Sequence, residues 1–159
     1  MPTYERSTRV AAPLSEVWTF HSRVEGLEAL TPDFMNLRVE RVVGPDDEAD
    51  PEVLETGARI DMSMRPFGVG SRQTWTSLIR ARESHEGAAY FRDTMEDGPF
   101  PEWEHTHLFY ADDGETICRD RVRYRLPGGP LGRLAEPFGD LGFEPMFAGR
   151  HHETKQLLE

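Results

Sequence analysis

Cysteine occurs once in the 159 residues, at Cys118, so no disulfide can form within the chain. Lysine also occurs once, at Lys155, and the other 17 basic residues are arginine. No run of about 18 apolar residues exists, which excludes a helix able to span a membrane. The start, Met1-Pro2-Thr3-Tyr4, carries no apolar leader, and a cytoplasmic location is expected. Positive charge is scarce: 18 basic residues stand against 29 acidic ones, a net charge of -11. That field repels phosphate backbones and anionic lipid surfaces, so no nucleic-acid partner is expected. Abundant carboxylates with a single lysine suit the cytoplasm of a high-salt cell. A GC-rich genome that favours arginine codons produces the same composition, and the sequence leaves both open.

What is present suits one domain over residues 1–159: 37% hydrophobic residues can fill one sizeable core. Residues 3–10 read as a strand. Ala12-Pro13 opens a helix that carries Leu14, Val17, Trp18 and His21 at helical spacing. A second short helix runs from about Arg23 to Leu30 and stops at Thr31-Pro32. Strands follow at Asn36–Val43, Ala58–Arg65, Ser71–Glu83, Ala88–Met95, Glu102–Tyr110 and Glu115–Leu126, with an acidic loop over 44–55. Asp113-Gly114 is the signal of a two-residue type I′ turn between the last two. Cys118 falls in the last strand, where a thiol behaves as a small apolar residue. After the breaker Pro127-Gly128-Gly129-Pro130, apolar residues including Leu131, Leu134, Phe138 and Leu141 mark a helical segment. Pro137, Gly139, Gly142 and Pro145 weaken its first half, so a firm helix is expected only from about Glu144 to Leu158. Hairpin-connected strands cannot bury their inner face alone, so this last helix must cover it.

The run Phe91-Arg92-Asp93-Thr94-Met95-Glu96-Asp97-Gly98-Pro99-Phe100-Pro101-Glu102-Trp103-Glu104-His105-Thr106-His107-Leu108-Phe109 resembles the polyketide cyclase/dehydrase-like branch of the START/Bet v 1-like superfamily. Val10 to Trp18 resembles that superfamily's entry to its first helix. Thr116, Asp120, Tyr124 and Pro127, then Phe147 and Arg150, fit its later elements. The resemblance covers essentially the whole chain. It implies an α+β helix-grip fold, a curved antiparallel sheet in the order β-α-α-β6-α wrapped around a long C-terminal helix, with an internal cavity for an apolar small molecule. It assigns no catalytic role to any residue, because this fold hosts carriers, receptors and cyclases alike.

The Asp-Gly turn fixes a register. Paired positions place His107 opposite Asp120, His105 opposite Val122, and Trp103 opposite Tyr124. Arg119, Arg121, Arg123 and Arg125 then share one face, which belongs in water, and the Trp/His face points inward. The preceding hairpin places Asp93 beside His105, to within about two residues. An inward wall with Asp93, His105, His107 and Asp120 has three readings: a ladder that fixes register, a set of groups that orients a ligand, or an acid–base site for a cyclase or dehydratase. In each, a carboxylate beside an imidazole is expected to raise its pKa.

His105-x-His107 alone is a weak metal signal, with Asp120 or His151 as further ligands, and neither metal nor cofactor is expected. The expected ligand contacts are Met62, Met64, Trp75, Phe91, Trp103, Phe109 and Tyr124 from the sheet, with Phe143 and Phe147 from the helix. The turn Pro66-Phe67-Gly68-Val69-Gly70 is expected near the cavity mouth as a lid; Arg150 either reaches inward as an anion clamp or, the preferred reading, lies in solvent or in an ion pair. The oligomeric state is open between monomer and homodimer.

Overall fold

The computed structural model describes residues 1–136 and 139–159; Pro137 and Phe138 lie outside the described residues. Strand β1 (Thr3–Val10) leads into helices α1 (Leu14–His21) and α2 (Val24–Leu30). Six strands follow: β2 (Arg38–Val43), β3 (Arg59–Met64), β4 (Gln73–His85), β5 (Ala88–Glu96), β6 (Glu102–Asp112) and β7 (Glu115–Arg125). Helices α3 (Gly129–Ala135) and α4 (Gly139–Leu158) complete the chain. The strands form one antiparallel sheet in the order β1-β7-β6-β5-β4-β3-β2. Register shifts between Val39 and Arg41 and between Ile79 and Ala81 interrupt two ladders. Such bulges increase local twist and bend the sheet. The result is the α+β helix-grip fold.

The β6–β7 hairpin follows from its turn. Asp113 and Gly114 have φ of 56° and 80°, the left-handed pair that a type I′ turn requires. The register places His107 opposite Asp120 and His105 opposite Val122. Arg119, Arg121, Arg123 and Arg125 alternate outward, while Cys118, Asp120, Val122 and Tyr124 are buried. On the outer face Arg121 pairs with Glu5 at 2.7 Å, while Arg125 at the strand end reaches the buried Glu136 after α3 at 3.0 Å.

The last helix departs from the sequence expectation, because it starts at Gly139 rather than near Glu144 and contains Pro145. Proline leaves the carbonyl four residues earlier without its helical partner. That residue, Leu141, is 75% exposed, so water reaches the site. The helix-weakening glycines answer to packing. A Cβ at Gly139 would lie 2.2 Å from the Tyr124 hydroxyl oxygen, and one at Gly149 would lie 2.6 Å from Pro32 Cγ. Glycine is what lets α4 approach the sheet and the α2 exit this closely.

The core divides in two. One cluster, with Val10, Val17, Ile60, Met62, Phe91 and Phe109, packs beneath α1. The other, Tyr4, Val122, Tyr124, Phe143 and Phe147, seals α4 to β1 and β7. Buried polar residues of β5–β7, Asp93, His105, His107 and Asp120, are set into the same inner face.

Candidate functional site

A cavity of about 460 Å³ lies between the concave sheet face and helices α2 and α4. Met62, Met64, Trp75, Phe91 and Trp103 line it from the sheet, and Phe143 and Phe147 from α4. Ile79, Met146 and Leu30 add to the apolar wall. Two expected contacts fall elsewhere. Phe109 is 2% exposed and packs against Trp18 and His21, with ring centroids at 5.7 Å and 4.7 Å, because α1 covers that end of β6. Tyr124 is fully buried beside Phe143, and its hydroxyl donates to the Glu136 carbonyl at 3.2 Å, because the start of α4 closes over it. At the cavity's edge Phe67 is 70% exposed and stacks on Phe34 at 4.8 Å. Its φ of 58° is uncommon for an aromatic residue and stores local strain.

Asp93, His105 and His107 line the cavity, and Asp120 sits behind them, 5% exposed. The hydrogen bonds run diagonally rather than straight across. His105 Nε2 meets Asp120 Oδ1 at 2.7 Å, and His107 Nε2 meets Asp93 Oδ2 at 2.9 Å. The direct cross-strand pair, His107 and Asp120, is held only at 3.6 Å through Nδ1. Diagonal neighbours are within reach of an imidazole. Ring stacking selects this arrangement: Phe91, His107 and His105 form one stack with centroid spacings of 3.9 Å and 3.6 Å.

Asp120 has a second partner on α4, His151 Nε2 at 2.6 Å, and His151 Nδ1 in turn faces Arg6 Nη1 at 2.8 Å. Arginine can only donate, so His151 Nδ1 accepts and its proton sits on Nε2, facing Asp120. Burial works against ionised Asp120, but the bonds from His105 and His151 outweigh it and hold the carboxyl well below its usual range. Asp93 is lowered in the same contest, through His107 and Ser77. His107 moves opposite to the sequence expectation: burial first, then the repulsion between two imidazolium rings were His105 protonated as well, push it down to about 4 despite Asp93. This imidazole is neutral at pH 7.

The sequence profile of a family described as "Polyketide cyclase / dehydrase and lipid transport" matches residues 10–148. The chain belongs to this family. No match is found among curated proteins. Among solved structures, the protein TTHA0849 of Thermus thermophilus superposes with a TM-score of 0.68 at 17% identity, over 99% of this chain and 100% of that one. CV1439 of Chromobacterium violaceum gives 0.70 at 12% identity, over 99% and 96%. A truncated norcoclaurine synthase of Thalictrum flavum gives 0.68 at 17% identity, over 98% and 92%. These likenesses establish a shared Bet v 1-like fold.

In this cyclase/dehydrase-family chain, three site groups escaped the sequence reading: His151, Arg6 and His21. His151 was weighed only as a metal ligand, yet it shares a helix face with the buried Phe143 and Phe147, eight and four residues earlier, and that spacing predicts an inward side chain. Arg6 is the cross-strand neighbour of Asp120 on β1. His21 lines the cavity at 8% exposure; its Nδ1 donates to the Val17 carbonyl at 2.8 Å, leaving Nε2 as a bare acceptor. Burial, aided by the charge of Arg150, pushes His21 down to about 3. Of the two placements open to Arg150, the structure has the inward one rather than the preferred solvent or ion pair: it lines the cavity and has no carboxylate within 4.0 Å among the described residues. Asp93, His105 and His107 also place one potential ligand atom each within 4.8 Å of one another, a spacing open to a cation. Hydrogen bonds already occupy Asp93 Oδ2 and the Nε2 atoms of both histidines.

Proposed function

We propose that this protein binds an apolar, ring-bearing small molecule, of lipid, isoprenoid or polyketide-like chemistry, in the cavity under α4. The observation that carries this reading is the cavity itself: about 460 Å³, walled by Trp75, Trp103, Phe91 and adaptable methionines, with polar groups gathered on one side. Its size falls in the range of small-molecule sites, and its composition is that of a site that takes flat apolar bodies and orients them by a few polar contacts. The Phe67–Phe34 stack acts as the door. The acidic surface supports a cytoplasmic protein without nucleic-acid partners. The family's printed description, which joins cyclases with lipid transport, supports an apolar cargo or substrate.

The test is uptake of an environment-sensitive dye such as anilinonaphthalene sulfonate, followed by displacement with polycyclic aromatics and isoprenoids. Binding should weaken in Trp103→Ala. A folded protein that takes up neither dye nor competitor refutes the reading. Native mass spectrometry of protein from its own host would name the ligand class directly.

A second reading, chemistry on the bound molecule as a cyclase or dehydratase performs it, is favoured by one observation: His105 Nδ1 has no hydrogen-bond partner among the described residues, and His105 lines the cavity.

A further inference from the structure

We propose that His105 is a catalytic base that removes a proton α to a carbonyl of the cavity-bound molecule, with Arg150 receiving the enolate oxygen. The inference rests on the cavity-binding reading and specifies its substrate: an apolar, ring-bearing ketone.

Three imidazoles line the cavity, and only one is built for proton transfer. His21 has a bare Nε2, but its other nitrogen meets a neutral carbonyl, so nothing would stabilise the imidazolium it would become. His107 is engaged at Nε2 by Asp93, and its Nδ1 faces Asp120 at 3.6 Å. His105 gives Nε2 to Asp120 at 2.7 Å and leaves Nδ1 free.

The proton on His105 is placed by a directional chain. Arg6 donates to His151, and His151 must therefore donate to Asp120 Oδ2. Asp120 takes the His151 proton at Oδ2 and meets His105 Nε2 through Oδ1, and a carboxylate can only accept, so the proton between it and His105 belongs to His105 Nε2. The lone pair is then on Nδ1, the nitrogen with no hydrogen-bond partner among the described residues, on a side chain that lines the cavity. A carboxylate that orients an imidazole and stabilises the imidazolium formed is the arrangement that makes histidine an effective base.

Arg150 supplies the other half. It lines the same cavity from α4, its charge is felt at His21, His107 and Asp120, and no carboxylate within 4.0 Å neutralises it among the described residues. A guanidinium held ready in an apolar site stabilises an oxyanion as it develops.

The step balances within the site. The α C–H bond breaks, its proton bonds to His105 Nδ1, and the electron pair becomes the enolate whose oxygen faces Arg150. Return of a proton from Nδ1 to the carbon regenerates the ketone. Where the same molecule carries a second carbonyl, the enolate carbon attacks it, the ring bond forms, and the proton on Nδ1 passes to the new alkoxide. Arg6 and His151 touch no substrate and act as positioning residues.

The experiment uses 2-tetralone, a ring-bearing ketone with exchangeable α protons, and the whole protein in D2O. Binding is read by dye displacement and exchange by the loss of the α-proton NMR signal. The wild type should bind the probe and exchange it well above the buffer rate. His105→Gln should still bind and should lose about 100-fold in exchange. Arg150→Met, which breaks no ion pair, should fold and fall by a similar factor. Arg6→Met should lower the maximal rate while leaving the half-saturating probe concentration unchanged. Binding with exchange at the buffer rate overturns the base and leaves the cavity reading intact. Exchange that is undiminished in a folded His105→Gln, or in Arg150→Met should His105→Gln not fold, also overturns it. Failure of the wild type to bind the probe overturns both.

Discussion

Strands β3 and β4 present Met62, Met64, Trp75 and Ile79 to the cavity, whereas β5 and β6 present Phe91, Asp93, Trp103, His105 and His107. Apart from Gln73 and Ser77 of β4, the first wall is held by dispersion and burial, which have no direction. The second is held by hydrogen bonds whose donors and acceptors must match. An apolar wall tolerates changes of shape at constant volume. A buried polar wall tolerates almost none, because each lost partner strands another group. One side of the cavity thus adapts to a ligand's body while the other fixes its orientation.

The largest expected effect breaks that contrast at its centre. Asp120→Asn replaces an acceptor of two imidazole protons with a group that has an N–H on one side, so one of His105 and His151 meets a donor. Leaving a buried hydrogen-bonding group without its partner typically costs about 1–3 kcal/mol, more where one of the groups is charged. Met62→Leu, equally buried on the apolar wall, should cost less than about 1.5 kcal/mol. Urea denaturation of both variants checks the comparison, and equal losses would abolish it.

Double-mutant cycles sharpen it. His107 faces Asp120 in the register but hydrogen-bonds Asp93. A cycle of His107→Gln with Asp93→Asn should show coupling of about 0.5–3 kcal/mol, and so should His105→Gln with Asp120→Asn. The cycle of His107 with Asp120 should couple less than either. The reverse order would mean that backbone register, not the diagonal bond, governs the pairing.

That distinction marks where the sequence stopped being informative. The β6–β7 register and the outward arginines were legible because a two-residue Asp-Gly turn and a period of two leave one arrangement. Asp93 could be placed beside His105 only to within about two residues, because the connection over 96–101 is too long to fix a register, and the structure has that pairing. Which carboxylate each imidazole chooses depends on χ angles and ring stacking, which alternation does not encode. Phe109 and Tyr124 share the inner face with Trp103, yet whether an inward residue meets the cavity or a helix depends on where α1 and α4 lie. Arg150 and His151 are adjacent on α4, and only the helix's rotation tells that one lines the cavity and the other reaches Asp120.

Acid should weaken the polar wall before the apolar one. His107 and His21 sit at about 4 and about 3 in the folded protein against an ordinary 6.5. Between those values the unfolded chain binds more protons, so stability is full above about 6.5 and falls as pH drops through that window. Asp93 and Asp120, held below the ordinary 3.8, lose stability in the same direction at still lower pH. A mildly acidic optimum, which raised imidazole values would give, is therefore not expected. Denaturation midpoints from pH 8 to pH 3 should decline monotonically, and His107→Gln should flatten the part between about 6.5 and 4. A midpoint that rises on acidification would contradict the neutral state of His107.

The smallest effect concerns salt, and it sets the inner walls against the outer surface. The chain carries 29 acidic and 18 basic residues, so like-charge repulsion destabilises the compact state and salt relieves it. The sheet's outer face opposes this, because Arg121–Glu5 and Arg123–Glu104 are favourable pairs that salt weakens. Exposed pairs of this kind contribute little each. The acidic 44–55 segment has, among the described residues, one ion pair of its own, Glu52 with Arg23 at 3.1 Å, so most of its carboxylates gain from screening. Repulsion should win by a small margin, raising the melting temperature by roughly 2–4 °C between low and molar KCl, equivalent to about 1 kcal/mol. The buried His/Asp set is beyond the reach of that screening, so the Asp120→Asn loss should stay the same across the salt series. A melting temperature that stays flat or falls would show that the outer pairs outweigh the excess of acid.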